Sequence, residues 1–259
     1  MTPPTIVLVP GAFHVASSIE LLSLHLQKRG YDTRTWGLTT VNNPTASVTD
    51  DAFHLAQDVL KPLIEFEGKD VVLYLHSYAG FPGSAAIAGF AKAERVAVGQ
   101  KGGIVGLIYQ AAFVPKEGIS LNGMIGGHYP PWQDPDEKTG LVRVKDPKQT
   151  FHADVPEPLA TEAGDRILCQ SVRAFTTPSG PVHYQDKAYD ERRVFLHSTL
   201  DQAIPAAVQD MFVNGSGTSW RVRGLEMGHN PFLSQPARLA EIVEECVREF
   251  ISTFRKTEG

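Results

Sequence analysis

The sequence predicts an α/β fold, with a mostly parallel six-stranded sheet, helices on both faces and an inserted cap. Short apolar runs alternate with longer segments whose apolar residues recur at helical spacing, which is the pattern of parallel strands joined by helices. The alternation stops after residue 115 and resumes near residue 193. At 259 residues, the chain is long enough for one large sheet with one insertion.

Six runs rich in β-branched residues and leucine are predicted to form the strands. Continuous apolar runs of this kind are typical of strands that are buried on both faces of a sheet. The predicted strands cover residues 6–9, 31–36, 70–75, 104–113, 194–197 and 220–222.

Helices are predicted between these strands and after the last one. Ser17 or Ser18 can cap a first helix that ends at Gly30, and further helices are predicted over residues 49–67, 84–93 and 236–255. The segment 115–192 is rich in glycine, proline and aromatic residues, and the one helix predicted there lies near residues 157–172. We therefore predict that residues 1–114 and 193–259 form the core and that residues 115–192 form the cap or lid.

The composition is typical of a soluble globular protein, with 42% hydrophobic and 20% charged residues. The formal net charge of -5 and the lack of a lysine- and arginine-rich segment argue against nucleic acid as a partner. The chain has no signal-peptide pattern and no apolar run of about 18 residues, so a cytoplasmic protein without a membrane partner is expected.

No cofactor and no metal is expected. No Gly-x-Gly-x-x-Gly element follows a predicted strand, and the histidines of the segment 115–192 lack metal-ligand spacing. Cys169 and Cys246 form no Cys-x-x-Cys pair and are expected to be buried thiols. The expected partner is a small molecule. The sequence does not decide whether a patch on the cap also forms a homodimer.

A candidate nucleophile follows the third predicted strand. Ser77 lies between this strand and a helix, where a sharp turn can present a serine hydroxyl to a substrate. The usual pattern is Gly-x-Ser-x-Gly; here Leu75 and Ala79 replace the glycines, and Gly80 follows one place later. A serine that only caps the helix is the alternative interpretation. We expect the neighbouring His76 to point away from the reacting face.

Two later loops supply a carboxylate and an imidazole. Asp201 follows the strand predicted at 194–197, and His229 follows the strand predicted at 220–222. Acyl transfer by a serine needs a histidine that takes the proton and an acid that orients the histidine. Taken alone, Asp201 is also explained as a helix cap and His229 as an ordinary loop histidine. The chain order Ser, Asp, His at strand ends predicts a catalytic triad.

Two backbone N–H groups are candidates for an oxyanion hole. One is that of Tyr78, directly after the nucleophile, and the other is that of Ala12, in the loop after the first strand. Gly11 precedes the first helix in the same loop, which favours a role in the oxyanion hole over that of an ordinary turn glycine.

These motifs resemble the α/β-hydrolase superfamily, and within it the branch of plant methyl-ester esterases and hydroxynitrile lyases. The resemblance covers nearly the whole chain and implies the α/β-hydrolase fold with Ser77, Asp201 and His229 as the triad. It is carried by residues 9–14 (VPGAFH), 75–80 (LHSYAG), 201–205 (DQAIP), 228–229 (GH) and 233–236 (LSQP).

The chain departs from this branch at three positions. Members usually have a histidine where this chain has Pro10. The lyases tend to have threonine or asparagine at the position of Gly11, and many have lysine at that of Asn230. The chain therefore looks more similar to the esterases.

The predicted function is hydrolysis of a small to medium carboxylic ester or lactone through an acyl-enzyme. Two other functions stay open: a lyase or carbon–carbon bond hydrolase that uses the same triad as a base, and a ligand receptor that keeps the triad without turnover. The substrate is expected to bind under the cap. Phe13, Tyr129, Trp132 and Phe151 are candidates to line that pocket, although packing within the cap is the favoured interpretation for them.

Overall fold

The computed structural model describes residues 3–257, which form two sheets. The strands are β1 (Thr5–Val9), β2 (Thr33–Thr35), β3 (Asp70–His76), β4 (Gly103–Gln110), β5 (Gln133–Asp136), β6 (Leu141–Val144), β7 (Gln170–Ser171), β8 (Arg193–Ser198) and β9 (Arg221–Leu225). The large sheet has six parallel strands in the order β2-β1-β3-β4-β8-β9. It confirms the predicted fold class.

The α-helices lie mainly between the strands of the large sheet and after its last strand. They are α1 (Glu20–Lys28), α2 (Val48–His54), α3 (Gly80–Ala86), α4 (Lys92–Ala97), α5 (Leu121–Met124), α6 (Pro147–Phe151), α7 (Leu159–Asp165), α8 (Val172–Thr176), α9 (Ala206–Asn214), α10 (Pro231–Ser234) and α11 (Pro236–Thr257). Within residues 3–257, no helix is long and apolar enough to cross a membrane.

Strand β3 shows why the central strands are continuously apolar. Its residues from Val71 to His76 are all buried, because helices cover both faces of the sheet. Val72 and Tyr74 pack on one face with residues of α1 and α11, and Leu73 and Leu75 pack on the other face with residues of α2 and α3. The carboxyl end of β3, where Ser77 follows, is therefore held rigidly at the centre of the sheet.

Two of the helices predicted outside the segment 115–192 differ from the observed ones. The predicted helix 49–67 is α-helical only in α2 and continues with the wider π-helical turns Leu55–Leu60 and Pro62–Phe66, because Pro62 has no N–H to donate to an α-helical bond. The predicted helix 84–93 is confirmed only in part, over residues 84–86 and 92–93. Helix α3 begins at Gly80 and ends at Ala86, shortly before Gly89 takes a positive φ of 72°.

The segment 115–192 contains an antiparallel sheet that the sequence analysis missed. Its strand order is β5-β6-β7, with Gly140 at a φ of 69° in the turn between β5 and β6. The helix predicted near residues 157–172 is only partly present: it is α7, and the chain is already extended in β7.

The two cysteines lie in different environments. Cys246 is buried in α11, as predicted, but Cys169 is only half-buried. The prediction of a buried thiol is wrong for Cys169, which lies in a loop where its backbone N–H donates to Asn42 Oδ1.

Candidate active site

Ser77 lies on a sharp turn at the carboxyl end of β3. Its φ is 55°, a left-handed conformation that is strained for a residue with a side chain. One 3₁₀ turn, Ser77–Ala79, connects β3 to α3. Ser77 is 8% exposed, and its carbonyl accepts a hydrogen bond from Phe113 N at 3.1 Å. The turn has the backbone of a nucleophile elbow, although it lacks the usual glycines.

A glycine elsewhere accommodates Leu75, which stands where the usual pattern has its first glycine. Leu75 is fully buried and packs against Gly83 of α3. A Cβ atom added to Gly83 would lie 2.5 Å from Leu75 Cδ1, which is too close for any side chain. Leu75 is therefore compatible with the tight strand–helix approach because Gly83 leaves space for it.

His229 and Asp201 are hydrogen-bonded to each other beneath the surface. His229 Nδ1 lies 2.7 Å from Asp201 Oδ2, and both side chains are buried. A carboxylate can only accept, so this contact places the proton on Nδ1 and leaves the lone pair on Nε2. Asp201 Oδ1 also accepts from the N–H groups of Ala203 and Ile204 at 2.8 and 2.9 Å. Asp201 thus caps its own loop and orients His229 at the same time.

Gln209 of α9 holds the loop that carries Asp201, and sequence analysis did not find it. Its Nε2 donates to the carbonyls of Ile204 and Ser198 at 2.7 and 3.0 Å, and its Oε1 accepts from Ser198 N at 3.1 Å. Gln209 Nε2 also lies 3.4 Å from Asp201 Oδ2. A buried glutamine in an amphipathic helix has the same sequence pattern as an exposed one, so no signal was available.

His76 connects the loop after β1 to the loop of His229. Its Nδ1 accepts from Gly11 N at 3.0 Å, and its Nε2 donates to the carbonyl of His229 at 3.0 Å. The ring does not line the cavity at Ser77. Burial, with His229 nearby, holds the pKa of His76 well below its usual value, so this histidine is neutral. A Cβ atom added to Gly11 would lie 2.7 Å from Ser77 Cβ, which explains the glycine there.

The backbone N–H groups on both sides of Ala12 donate hydrogen bonds within the protein. Gly11 N–H donates to His76, and Phe13 N–H donates to Gln170 Oε1 at 2.9 Å. Ala12 lies between them and, with Tyr78, lines the same cavity as Ser77 and His229. The structure therefore brings the predicted oxyanion-hole residues to the cavity that holds Ser77.

A chain of buried hydrogen bonds links the loop after β1 to Tyr78. Gln170 Nε2 donates to Thr40 Oγ1, and the N–H and hydroxyl of Thr40 donate to the carboxyl of Asp51 at 3.0 and 2.6 Å. The Tyr78 hydroxyl donates to Asp51 Oδ2 at 3.0 Å. Burial raises the pKa of Asp51 to about 6 although these groups donate to it. This network fixes the Tyr78 side chain away from the reacting atoms.

A second buried cluster lies behind His229. Asn230 Nδ2 contacts His14 Nε2 at 3.0 Å and His152 Nδ1 at 3.2 Å, and His14 Nδ1 donates to the carbonyl of Ala12 at 2.7 Å. Burial lowers the pKa of His14 to about 3 and that of His152 to about 4. Both imidazoles are therefore neutral. Asn230 is therefore connected through His14 to the carbonyl of Ala12 and through His152 to the segment 115–192.

The same segment makes another contact beside His229. Asp154 Oδ2 accepts from Gly228 N at 2.7 Å. His152 and Asp154 together attach the segment 115–192 to the loop that carries His229.

A cavity of about 320 Å³ opens in front of Ser77 and His229. Its walls are mainly apolar, and Phe13, Tyr129, Trp132 and Phe151 all contribute to them. The favoured interpretation of these four residues as cap packing was therefore incomplete, since they line the cavity; Phe13 and Phe151 also belong to the core. The Phe151 ring stacks on the His229 imidazole, with centroids 5.3 Å apart.

Comparison with known proteins identifies the class to which this fold belongs. The model of the alpha/beta hydrolase family matches residues 6–242, which is most of the chain. The chain therefore belongs to the alpha/beta hydrolase family.

The similar proteins include hydrolases from fungi, bacteria and plants. A probable hydrolase from a Phoma species is 25% identical, with 95% of this chain and 98% of the relative covered. The structure of a pyrethroid hydrolase from Sphingobium faniae has a TM-score of 0.72 at 21% identity, with 95% and 97% coverage. That of a methylesterase from Arabidopsis has a TM-score of 0.68 at 21% identity, with 95% and 99% coverage. These matches confirm the predicted resemblance at the level of the fold.

Proposed function

We propose that the chain is a serine esterase that cleaves a small to medium carboxylic ester or lactone through an acyl-enzyme. The observation that carries this proposal is the placement of Ser77, on a strained turn, in the same cavity as a histidine whose Nδ1 is held by Asp201 at 2.7 Å. This arrangement leaves His229 Nε2 as the base and the Ser77 hydroxyl as the nucleophile.

In the proposed reaction, Ser77 Oγ attacks the ester carbonyl while His229 Nε2 takes its proton. The backbone N–H groups of Ala12 and Tyr78 stabilise the oxyanion of the tetrahedral intermediate. His229 then gives the proton to the leaving alkoxide, so that the alcohol departs and the acyl group stays on Ser77. Water, activated by the same histidine, releases the acid and restores the serine. Asp201 stabilises the imidazolium in both steps.

The cavity supports a neutral, largely apolar substrate. A space of about 320 Å³ with aromatic walls suits an acyl or alcohol group of modest size. The names of the similar proteins, a pyrethroid hydrolase and a methylesterase, agree with an ester as the substrate class. We further propose that the segment 115–192 serves as a cap, because residues 121–151 supply one wall of the cavity and residues 152–154 attach to the loop of His229.

The test is hydrolysis of p-nitrophenyl butyrate by the wild type, Ser77→Ala and the control Ser234→Ala. The Ser234 hydroxyl has no hydrogen-bond partner among the described residues, so its removal is not expected to change the rate. We expect activity to disappear in Ser77→Ala and to persist in the control. Equal activity in all three proteins would refute the proposal. Release of an aldehyde or ketone without oxygen from labelled water would indicate a lyase instead.

A further inference from the structure

Gln133 is a buried carboxamide in the wall of the cavity that contains Ser77 and His229. It is only 5% exposed, and its Oε1 has no hydrogen-bond partner among the described residues. A buried polar atom without a partner is destabilising, and folded proteins keep few of them. A hydrogen-bond donor from a bound molecule would therefore stabilise Gln133 Oε1, since no described residue donates to it.

The backbone fixes the direction in which Gln133 points. Its N–H donates to the carbonyl of Pro130 at 2.9 Å, and in the β5–β6 pair it stands opposite Val144. Asp134, the next residue in β5, forms an ion pair with Arg143 on the outer surface at 3.0 Å. Because successive side chains of a strand alternate between its faces, Gln133 is held on the cavity side.

The rest of the cavity wall offers few other polar groups away from the reacting atoms. Tyr78 lines the wall, but its hydroxyl already donates to Asp51. His128, Tyr129 and Trp132 also carry polar groups in the wall, but none of the lining residues is aspartate, glutamate, lysine or arginine. A charged group on the substrate would lose water without gaining a counter-charge, whereas a neutral polar group can bond to Gln133.

Two ring contacts lead along the cavity wall from His229 to Trp132, the residue before Gln133. The Phe151 ring stacks on the imidazole of His229, and the Trp132 ring lies against Phe151 with centroids 5.3 Å apart. Gln133 directly follows Trp132 in the chain. Its Oε1 has no hydrogen-bond partner at Ser77, at His229 or elsewhere among the described residues, so the carboxamide can bond to a part of the substrate other than the scissile group.

We propose that Gln133 determines specificity by forming a hydrogen bond with a neutral oxygen-containing group on the apolar body of the ester. The inferred substrate class is an uncharged ester whose aliphatic or aromatic body carries a ketone, ether or hydroxyl group away from the scissile carbonyl. A carboxamide accepts through Oε1 and donates through Nε2, so rotation of the amide lets it serve each of these groups. This inference rests on the proposed esterase function.

The experiment compares matched esters in the wild type, Gln133→Leu and Gln149→Leu. Two series are used, p-nitrophenyl esters of six-carbon acids and acetate esters of six-carbon alcohols, each with an unsubstituted chain and with ketone, ether or hydroxyl groups at successive positions. Gln149 is the control, because it is an exposed glutamine of the same segment that does not line the cavity. Gln133→Met, which keeps the length of the side chain, is the second variant if Gln133→Leu does not fold.

We expect the wild type to prefer at least one oxygen-bearing ester over its unsubstituted partner by roughly fivefold or more in kcat/KM, as one buried hydrogen bond allows. Gln133→Leu should lose this preference and still hydrolyse the unsubstituted ester, and Gln149→Leu should keep the preference. A wild type without any such preference, or a Gln133→Leu variant that retains it, would overturn the inference.

A binding measurement separates this inference from the proposed function. In each compound the scissile ester is replaced by a ketone that cannot be hydrolysed, and binding of the analogues with and without the additional oxygen-containing group is measured by calorimetry. A preference for the oxygen-bearing analogue that depends on Gln133 supports the binding role even if no ester is hydrolysed, in which case only the esterase proposal fails. Equal binding of both analogues by the wild type and Gln133→Leu contradicts the role of Gln133, whatever the turnover.

Discussion

His76 Nε2 donates a hydrogen bond to the backbone carbonyl of His229 at 3.0 Å. The other ring nitrogen accepts from Gly11 N, also at 3.0 Å. One neutral imidazole therefore sets the distance between the loop of the proposed base and the loop of the proposed oxyanion hole. The pKa of His76, which burial holds well below its usual value, keeps this pattern of one donor and one acceptor over the working pH range.

Replacement of His76 by phenylalanine should weaken both the fold and the proposed catalysis. The ring volume is kept, but Gly11 N–H and the His229 carbonyl are left without partners, which costs about 2–3 kcal/mol for two buried groups. We expect a loss of this size in the free energy of unfolding in urea and a fall in kcat larger than the change in KM. His25→Phe, on the half-buried side of α1, is the control. An unchanged kcat in a destabilised His76→Phe would show that His76 only stabilises the fold.

The substitution Asp201→Asn should separate capping from orientation. Its Oδ1 can still accept from Ala203 and Ile204 N–H, so we expect the melting temperature to change little. An amide nitrogen facing His229 Nδ1 donates to it, which places the imidazole proton on Nε2. Nε2 then cannot accept the Ser77 proton, and kcat should fall by about 10³–10⁴. Asp210→Asn, at an exposed position in α9, is the matched control. A fall of less than about tenfold would argue against the triad.

The neutral histidines should make the protein sensitive to acid. The pKa of His14 is lowered by burial from 6.5 to about 3, so its neutral form stabilises the fold above pH 6.5 and this contribution is lost as the pH falls from there. His152, with a pKa lowered to about 4, acts in the same direction. Below pH 6.5 each of these histidines is protonated in the unfolded chain and neutral in the folded protein. The free energy of unfolding should therefore decline by about 1.4 kcal/mol for each such histidine and each unit by which the pH falls.

The variant His14→Gln tests this slope. Urea unfolding between pH 7 and pH 4.5 should show a decline that is smaller than in the wild type by about 1.4 kcal/mol per pH unit, the effect of one proton. The control Gln57→Ala, at an exposed position and without a titratable group, should leave the wild-type slope unchanged. Parallel curves for His14→Gln and the wild type would mean that His14 is not held neutral in the fold.

Removal of the Asp154 carboxylate should affect catalysis through the loop of His229. Asp154→Ala leaves Gly228 N–H without its acceptor at 2.7 Å, and we expect kcat to fall by roughly tenfold, as for one buried hydrogen bond to a charged group. Asp154→Asn keeps an acceptor oxygen and should restore much of the rate. Asp165→Ala, an exposed position in α7, is the control. If kcat falls as much in Asp154→Asn as in Asp154→Ala, the hydrogen bond from Gly228 N–H does not explain the effect of Asp154 on catalysis.

The sequence predicted the sheet and the candidate triad because both depend on strong local patterns. The continuous apolar run of β3 and the loops that follow β3, β8 and β9 locate Ser77, Asp201 and His229 without any knowledge of packing. The departure at Leu75 could not be resolved in the same way, since its explanation is a tertiary contact with Gly83.

The missed features depend on contacts between distant parts of the chain. Strands β5 to β7 have only two to four residues each, and Pro135 interrupts the strand pattern in β5. Gln209 and Asn230 are polar residues whose burial no periodicity reveals, because their hydrogen-bond partners are brought near only by the fold. Gln133 is buried as well, and its Oε1 has no partner among the described residues. Such buried polar residues are recognised only from the structure.

The most direct test of the account is the site at which a fluorophosphonate probe reacts. The probe should label the folded wild type once, and peptide mass spectrometry should place the label on Ser77, with no labelling of Ser77→Ala and full labelling of Ser234→Ala. A label on another residue, undiminished labelling of Ser77→Ala, or no labelling of the folded wild type would contradict the assignment of Ser77 as the nucleophile.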